Sequence, residues 1–101
     1  MAEQTFFLPV GTCCTSWQDS AGVHLRVYTT DGYNVTERQL DPGGNWTTGA
    51  FAQGGSDISV TSWVNANGSF GIRVYCNIAN VTTEWCNDGN NEWYQGQFSY
   101  T

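Results

Sequence analysis

Lysine is absent from the 101 residues, arginine occurs only as Arg26, Arg38 and Arg73, and nine acids bring the formal net charge to −6. Binding to nucleic acid relies on Lys and Arg to replace phosphate counterions, so this balance excludes nucleic acid as a partner. It equally disfavours adhesion to an anionic membrane. No apolar run approaches the roughly 20 residues that span a bilayer, so direct membrane insertion is not expected. Leucine occurs three times and methionine once. With lysine missing as well, the usual filling of helices is largely lacking. Five Trp, five Tyr, five Phe and twelve Gly stand beside many Val and Thr. That is the vocabulary of strands and turns. One small all-β domain is the expectation, near the low end of what folds alone.

The cysteines (Cys13, Cys14, Cys76 and Cys86) include an adjacent pair and no C-x-x-C spacing, and His24 is the single histidine. A zinc site is therefore not expected, nor any other cofactor. One structural disulfide and a set of buried small hydrophobes both remain open. The stretch from Met1 to Val10 carries Glu3, no basic residue and only the short apolar run Phe6 to Val10. A secretory signal needs a positive start and a longer apolar core. The N-x-S/T triplets at Asn34, Asn45, Asn67 and Asn80 are read as turn chemistry.

The chain repeats itself. Thr15-Ser16-Trp17 returns 46 residues on as Thr61-Ser62-Trp63, and Arg26-Val27-Tyr28 returns 47 on as Arg73-Val74-Tyr75. At 47, Glu37 matches Glu84, Trp46 matches Trp93, Gly49 matches Gly96 and Phe51 matches Phe98. The division is an N-terminal extension over 1–14, a first repeat over 15–57 and a second over 58–101. Alternation and turn clusters place strands at about Cys14–Gln18, Val23–Thr29, Asn34–Gln39 and Trp46–Ala52 in the first copy. In the second they fall at about Asp57–Val64, Ser69–Cys76, Val81–Cys86 and Glu92–Ser99. Four antiparallel strands in a unit of about 45 residues are the signature of a propeller blade. Two blades cannot close a ring, which takes roughly four to eight. Cyclic association of copies is the ordinary remedy. Three chains would make six blades; four or eight are arithmetically possible, and a two-sheet sandwich is the alternative fold.

In the second strand of each copy Val23, Leu25 and Val27 oppose His24, Arg26 and Tyr28, and Phe70, Ile72 and Val74 oppose Gly71, Arg73 and Tyr75. Each Arg thus sits mid-strand, where a charge is costly unless something meets it. Glu37 and Glu84 lie midway along the adjacent strands, where Arg and Glu can share a face. The structural reading is a pair of cross-strand salt bridges. The functional reading adds Trp46 and Trp93: a cationic donor, an anionic acceptor and a flat indole suit a neutral polyhydroxylated ring. Core packing is the plainer role for either indole, and Trp17 and Trp63 are assigned to the core.

Several strings then coincide in order: His24-Leu25-Arg26-Val27-Tyr28, Val35-Thr36-Glu37-Arg38, Thr48-Gly49-Ala50-Phe51, Ser59-Val60-Thr61-Ser62-Trp63, Ile72-Arg73-Val74-Tyr75 and Thr83-Glu84-Trp85-Cys86. Together they resemble the fucose-binding β-propeller lectins, the Aleuria aurantia lectin family, and most closely its small two-repeat bacterial members, which form trimeric six-bladed propellers. The resemblance implies a homotrimer that binds L-fucose and fucosylated oligosaccharides on glycoproteins or glycolipids. It implies a site within the chain made by Arg26, Glu37, Ala50, Phe70, Ile72 and Trp93. It implies a second site between chains, made by Arg73, Glu84, Gly96 and Gln97 with Trp46 and Leu25 of a neighbour. With no signal peptide visible, a cytosolic chain, or one released by a non-classical route to act on extracellular glycans, is expected.

The sequence departs from the small members at Leu40 and Asn87, where they carry a second aromatic, and at Gln97, where Ala50 stands in the first copy. The turns are longer and the extension has no counterpart, so the two sites should differ in affinity. Three rivals are weaker. Glu37 and Glu84 are equivalent residues of separate repeats rather than two carboxylates across one bond, so no glycosidase and no catalytic residue is expected. Asp88, Asn90 and Glu92 alternate as in a cation loop but lack the remaining ligands, which leaves a hairpin turn. A propeller that binds protein rather than sugar, in which the Arg–Glu pairs are structural, is the alternative function.

Overall fold

Strand residues alternate along each predicted segment, and Asp or Asn followed by Gly punctuates the gaps. In the first two turns the side chains do the work: Asp19 accepts the Ala21 N–H at 2.9 Å, and Asp31 accepts those of Tyr33 and Asn34 at 2.9 and 2.8 Å. Such Asx turns reverse the chain between strands. The computed structural model describes residues 8–98. Eight strands result: β1 Gly11–Asp19, β2 Gly22–Thr30, β3 Asn34–Leu40, β4 Thr47–Gly54, β5 Ser56–Val64, β6 Phe70–Ile78, β7 Val81–Asn87 and β8 Trp93–Gln95. They pair in chain order into two four-stranded antiparallel sheets, β1-β2-β3-β4 and β5-β6-β7-β8. The fold is all-β, one blade-like meander per repeat.

Two boundaries move. β1 begins at Gly11, so Gly11 to Cys14, expected in the extension, pair with β2, and Val10 N–H still donates to the Thr30 carbonyl at 2.8 Å. The expected extension as far as Phe7, and the strand end at Ser99, lie outside the described residues. The last strand is shorter than expected, Trp93–Gln95, although the Gly96 N–H still reaches the Glu84 carbonyl at 2.8 Å.

The core lies between the two sheets. Trp17, Tyr28, Val35 and Phe51 of the first sheet meet Ile72 and Val74 of the second, with Cys13, Ile58, Val60, Phe70, Trp85 and Trp93 around them. The contact is therefore made by opposite faces of the two blades. In the first, the side carrying Arg26, Tyr28 and Thr30 is buried; in the second, the side carrying Ile72, Val74 and Cys76. Thr15 Oγ1 and Ser62 Oγ, 2.6 Å apart, tie β1 to β5. Trp17 is buried, as assigned, but Trp63 is 38% exposed, because nothing among the described residues covers its outer side. All four cysteines are free; Cys76 and Cys86 are buried and pack as small hydrophobes, whereas Cys14 is exposed.

Candidate functional site

Strand register decides how the charged groups meet. Arg26 stands opposite Gln39 and Tyr28 opposite Glu37, and in the second sheet Arg73 faces Cys86 and Tyr75 faces Glu84. Arg and Glu thus share a face as diagonal neighbours. The salt bridges of the structural reading form elsewhere: Arg26 pairs with Asp41 and Arg73 with Asp88, each at 2.9 Å.

Glu37 is held by a distortion of the first sheet. The register of β3 with β4 shifts between Thr36 and Arg38, so Gly49, Ala50 and Phe51 stand against Glu37. Bulges of this kind re-aim groups beside functional sites. Here the Phe51 N–H turns to Glu37 Oε1 at 3.1 Å, while the Tyr28 O–H donates to Oε2. In the second blade the Phe98 N–H meets Glu84 Oε1 at 3.2 Å and the Tyr75 O–H meets Oε2 at 2.6 Å. Burial, and after it the Glu37 charge, push the Tyr28 hydroxyl far above its ordinary range. The hydrogen bond to Glu84, with burial second, pushes Tyr75 up to about 12. Both tyrosines stay protonated donors, and two acceptor positions on each carboxylate are spoken for.

The aromatic partners differ in role. The Arg26 guanidinium lies 4.8 Å from the Trp17 ring centroid, and Phe70 stacks on the same indole at 4.6 Å. Trp93 meets Phe51 and Tyr28 edge to face at 4.8 and 6.4 Å, so it is part of the inter-blade packing. Its Nε1 is buried with no acceptor among the described residues. Ile72 is fully buried, and Ala50 is exposed on the bulge. Arg26, Glu37, Phe70, Ile72 and Trp93 thus all face the joint between the blades, with Arg26 and Glu37 only 3% and 2% exposed.

The second set is open. Arg73, Glu84, Gly96 and Gln97 line one cleft of about 510 Å³ together with Cys86, Tyr94 and Gln95. Trp46, 44% exposed just before β4, and Leu25 of β2 lie in the first repeat and do not line this cleft. Leu25 alternates with Arg26 along β2 and so points to the far side of the first blade.

Residues 7–101 match the fungal fucose-specific lectin family. The chain belongs to that family. This lectin chain is 39% identical to a fucose lectin from Kordia zhangzhouensis solved in complex with methyl-fucoside; the alignment covers 93% of this chain and 69% of that one, with a TM-score of 0.77. A mutant of the Aleuria aurantia lectin, in complex with alpha-methyl-L-fucoside, is 30% identical with a TM-score of 0.72, over 93% of this chain and 32% of its own. A further Aleuria aurantia lectin structure, described as a six-bladed β-propeller with a novel fucose recognition mode, is 29% identical over 92% and 32%, with a TM-score of 0.71. The lectin chain spans about a third of the length of those two. No curated protein matches it. The blade architecture read from the repeat is that of these propeller lectins.

Sequence reading missed Asp41 and Asp88, the carboxylates that meet the two arginines, because both sit in segments read as turns. The signal was present, since they obey the same offset of 47. Asp88 had entered only as a cation-loop candidate; its oxygens accept from Arg73 and from the Tyr94 hydroxyl.

Proposed function

We propose that this chain binds L-fucose and fucosylated oligosaccharides of glycoproteins or glycolipids, without breaking a bond, through two kinds of site. The observation that carries the reading is a donor–acceptor arrangement made twice: an Arg laid over an indole, and on the same face a Glu held by a tyrosine hydroxyl and a backbone N–H. Charged groups give strong directional hydrogen bonds to hydroxyls, and the aromatic rings around them suit the apolar face of a sugar. The related structures that carry fucosides support the choice of sugar. Glu37 and Glu84 belong to separate sheets, which suits binding rather than glycoside cleavage. Agglutination of fucosylated cells is expected, blocked by free L-fucose and indifferent to chelators. Agglutination that excess fucose leaves untouched would overturn the reading in favour of a protein-binding propeller.

The ring closes, in this proposal, as a homotrimer. Trp63 lies over Arg73 at 4.9 Å as Trp17 lies over Arg26, but no Phe70 covers its outer side. The residue matching Phe70 is Val23, 53% exposed on the free face of the first blade beside Leu25 and Val27. Another copy that docked this face as β6 docks inside the chain would lay Val23 on Trp63 and bring Leu25 and Trp46 to the open cleft. Light scattering is expected to give three times 11.1 kDa. Val23→Asp puts an unpaired carboxylate against Trp63, a burial costing several kcal/mol, and is expected to drop the mass to that of one chain. A trimer that persists in this variant would refute the docking.

A further inference from the structure

Both arginines are anchored in the same way. Arg26 Nη1 donates to Asp41 Oδ1 at 2.9 Å and to the Leu25 carbonyl at 2.9 Å; Arg73 Nη1 donates to Asp88 Oδ1 at 2.9 Å and to the Ile72 carbonyl at 3.1 Å. Among the described residues every hydrogen bond of either guanidinium falls on this one nitrogen. A guanidinium carries five N–H donors in a rigid plane. With Nη1 fixed by carboxylate and carbonyl, and Cζ held over the Trp17 or Trp63 ring, the room left for the remaining donors to turn is small.

Resting on the reading that the arginines bind the sugar, we propose that Asp41 and Asp88 are positioning residues that aim the unspent donors of Arg26 and Arg73 at the ligand. Two independent copies of the contact, at the same spacing and with the same backbone carbonyl beside it, argue against a chance surface pair. The supports behind the two carboxylates differ. Asp41 Oδ1 also meets His24 Nδ1 at 2.7 Å, and His24 Nε2 meets Asp19 Oδ2 at 2.9 Å. Asp88 Oδ2 accepts the Tyr94 hydroxyl, and the matching place for His24 is Gly71. Burial works against ionisation of Asp41, but hydrogen bonds from His24 and Arg26 outweigh it and hold the carboxyl below its ordinary value of 3.8. The Tyr94 hydroxyl, then Arg73, do the same for Asp88. Each clamp is therefore intact above the ordinary carboxyl range and is lost as pH falls through the lowered value.

The test is calorimetric titration of the full chain with L-fucose, for the natural sequence, Asp41→Asn, Asp88→Asn and the double variant, each across pH. Asparagine keeps the shape and an acceptor oxygen but not the charge. Asp41→Asn is expected to weaken one class of sites about tenfold and leave the other class unchanged, and Asp88→Asn to do the reverse. In the double variant the acid loss of affinity becomes shallower, because Asp41 and Asp88 no longer contribute to it. A merely structural role would lower the melting temperature and leave affinity and pH profile alone, and that result would overturn the proposal. Asp88 is about half exposed, so Asp88→Asn keeps the test decisive if Asp41→Asn folds poorly. If the natural sequence fails to bind L-fucose at all, the sugar-binding reading falls, and this inference with it. If it binds and Arg26→Ala does not weaken one class, the arginines are not the donors and the aspartates have nothing to aim.

Discussion

Fucose binding is expected to vanish from calorimetry when Arg26 and Arg73 are both replaced by alanine. A hydrogen bond from a charged group is worth about 1.5–3 kcal/mol, which corresponds to roughly ten- to a hundred-fold in affinity at each site. Each single variant should remove one class of sites and halve the stoichiometry, because in the proposed ring the two arginines serve different joints. Arg26→Ala carries the larger folding cost. It leaves the Trp17 ring without its covering cation in a region where Arg26 is 3% exposed, whereas Arg73 lies beside an open cleft. Unchanged stoichiometry and affinity in both single variants would reduce the arginines to structural ion pairs.

Gly49→Ala is expected to be as damaging without touching a charged residue. A Cβ at Gly49 would lie 2.0 Å from Glu37 Oε1, and one at Gly96 would lie 2.0 Å from Glu84 Oε1. Glycine is needed here for space, since neither residue has a positive φ. To relieve the clash Glu37 must leave the Tyr28 hydroxyl and the Phe51 amide in a region where the carboxylate is 2% exposed. Leaving buried polar partners unpaired costs about 1–3 kcal/mol each. Gly49→Ala should therefore unfold at lower denaturant and lose the site within the chain. Glu84 can swing into its cleft, so Gly96→Ala should lose affinity with a smaller loss of stability. Denaturant melts and calorimetry of the pair check this, and equal stability loss in both would contradict it.

The blades were legible because repetition and period-two alternation are written directly in the side chains. Six of the eight strands fall close to where the pattern of Val, Thr and aromatics puts them; β1 starts earlier, at Gly11, and β8 is shorter, with the Phe98 N–H turned to the Glu84 carboxylate. That Arg26 and Glu37 share a face was also readable. That Tyr28 rather than Arg26 stands opposite Glu37 was not, because pairing register depends on the length and shape of the Asp31-Gly32-Tyr33 turn. Asp41 escaped because it lies just past the end of β3, and only the folded turn brings it under Arg26. Which face of each blade is buried was not legible either. It depends on how β5 docks on β1, an arrangement with no local signature.

Strand order in both sheets follows the chain without a crossover, and this bears on how the molecule folds. Each pairing closes only a hairpin, so little loop entropy is lost before contacts repay it, and topologies of short sequence separation fold fast for their size. Trp17, Phe51 and Ile72, by contrast, are sheltered only once one meander lies against the other. Two time regimes are therefore expected in refolding: rapid appearance of strand signal within each half, then a later step, reported by indole fluorescence, in which the halves meet and Arg26, Glu37 and Trp93 first come into line.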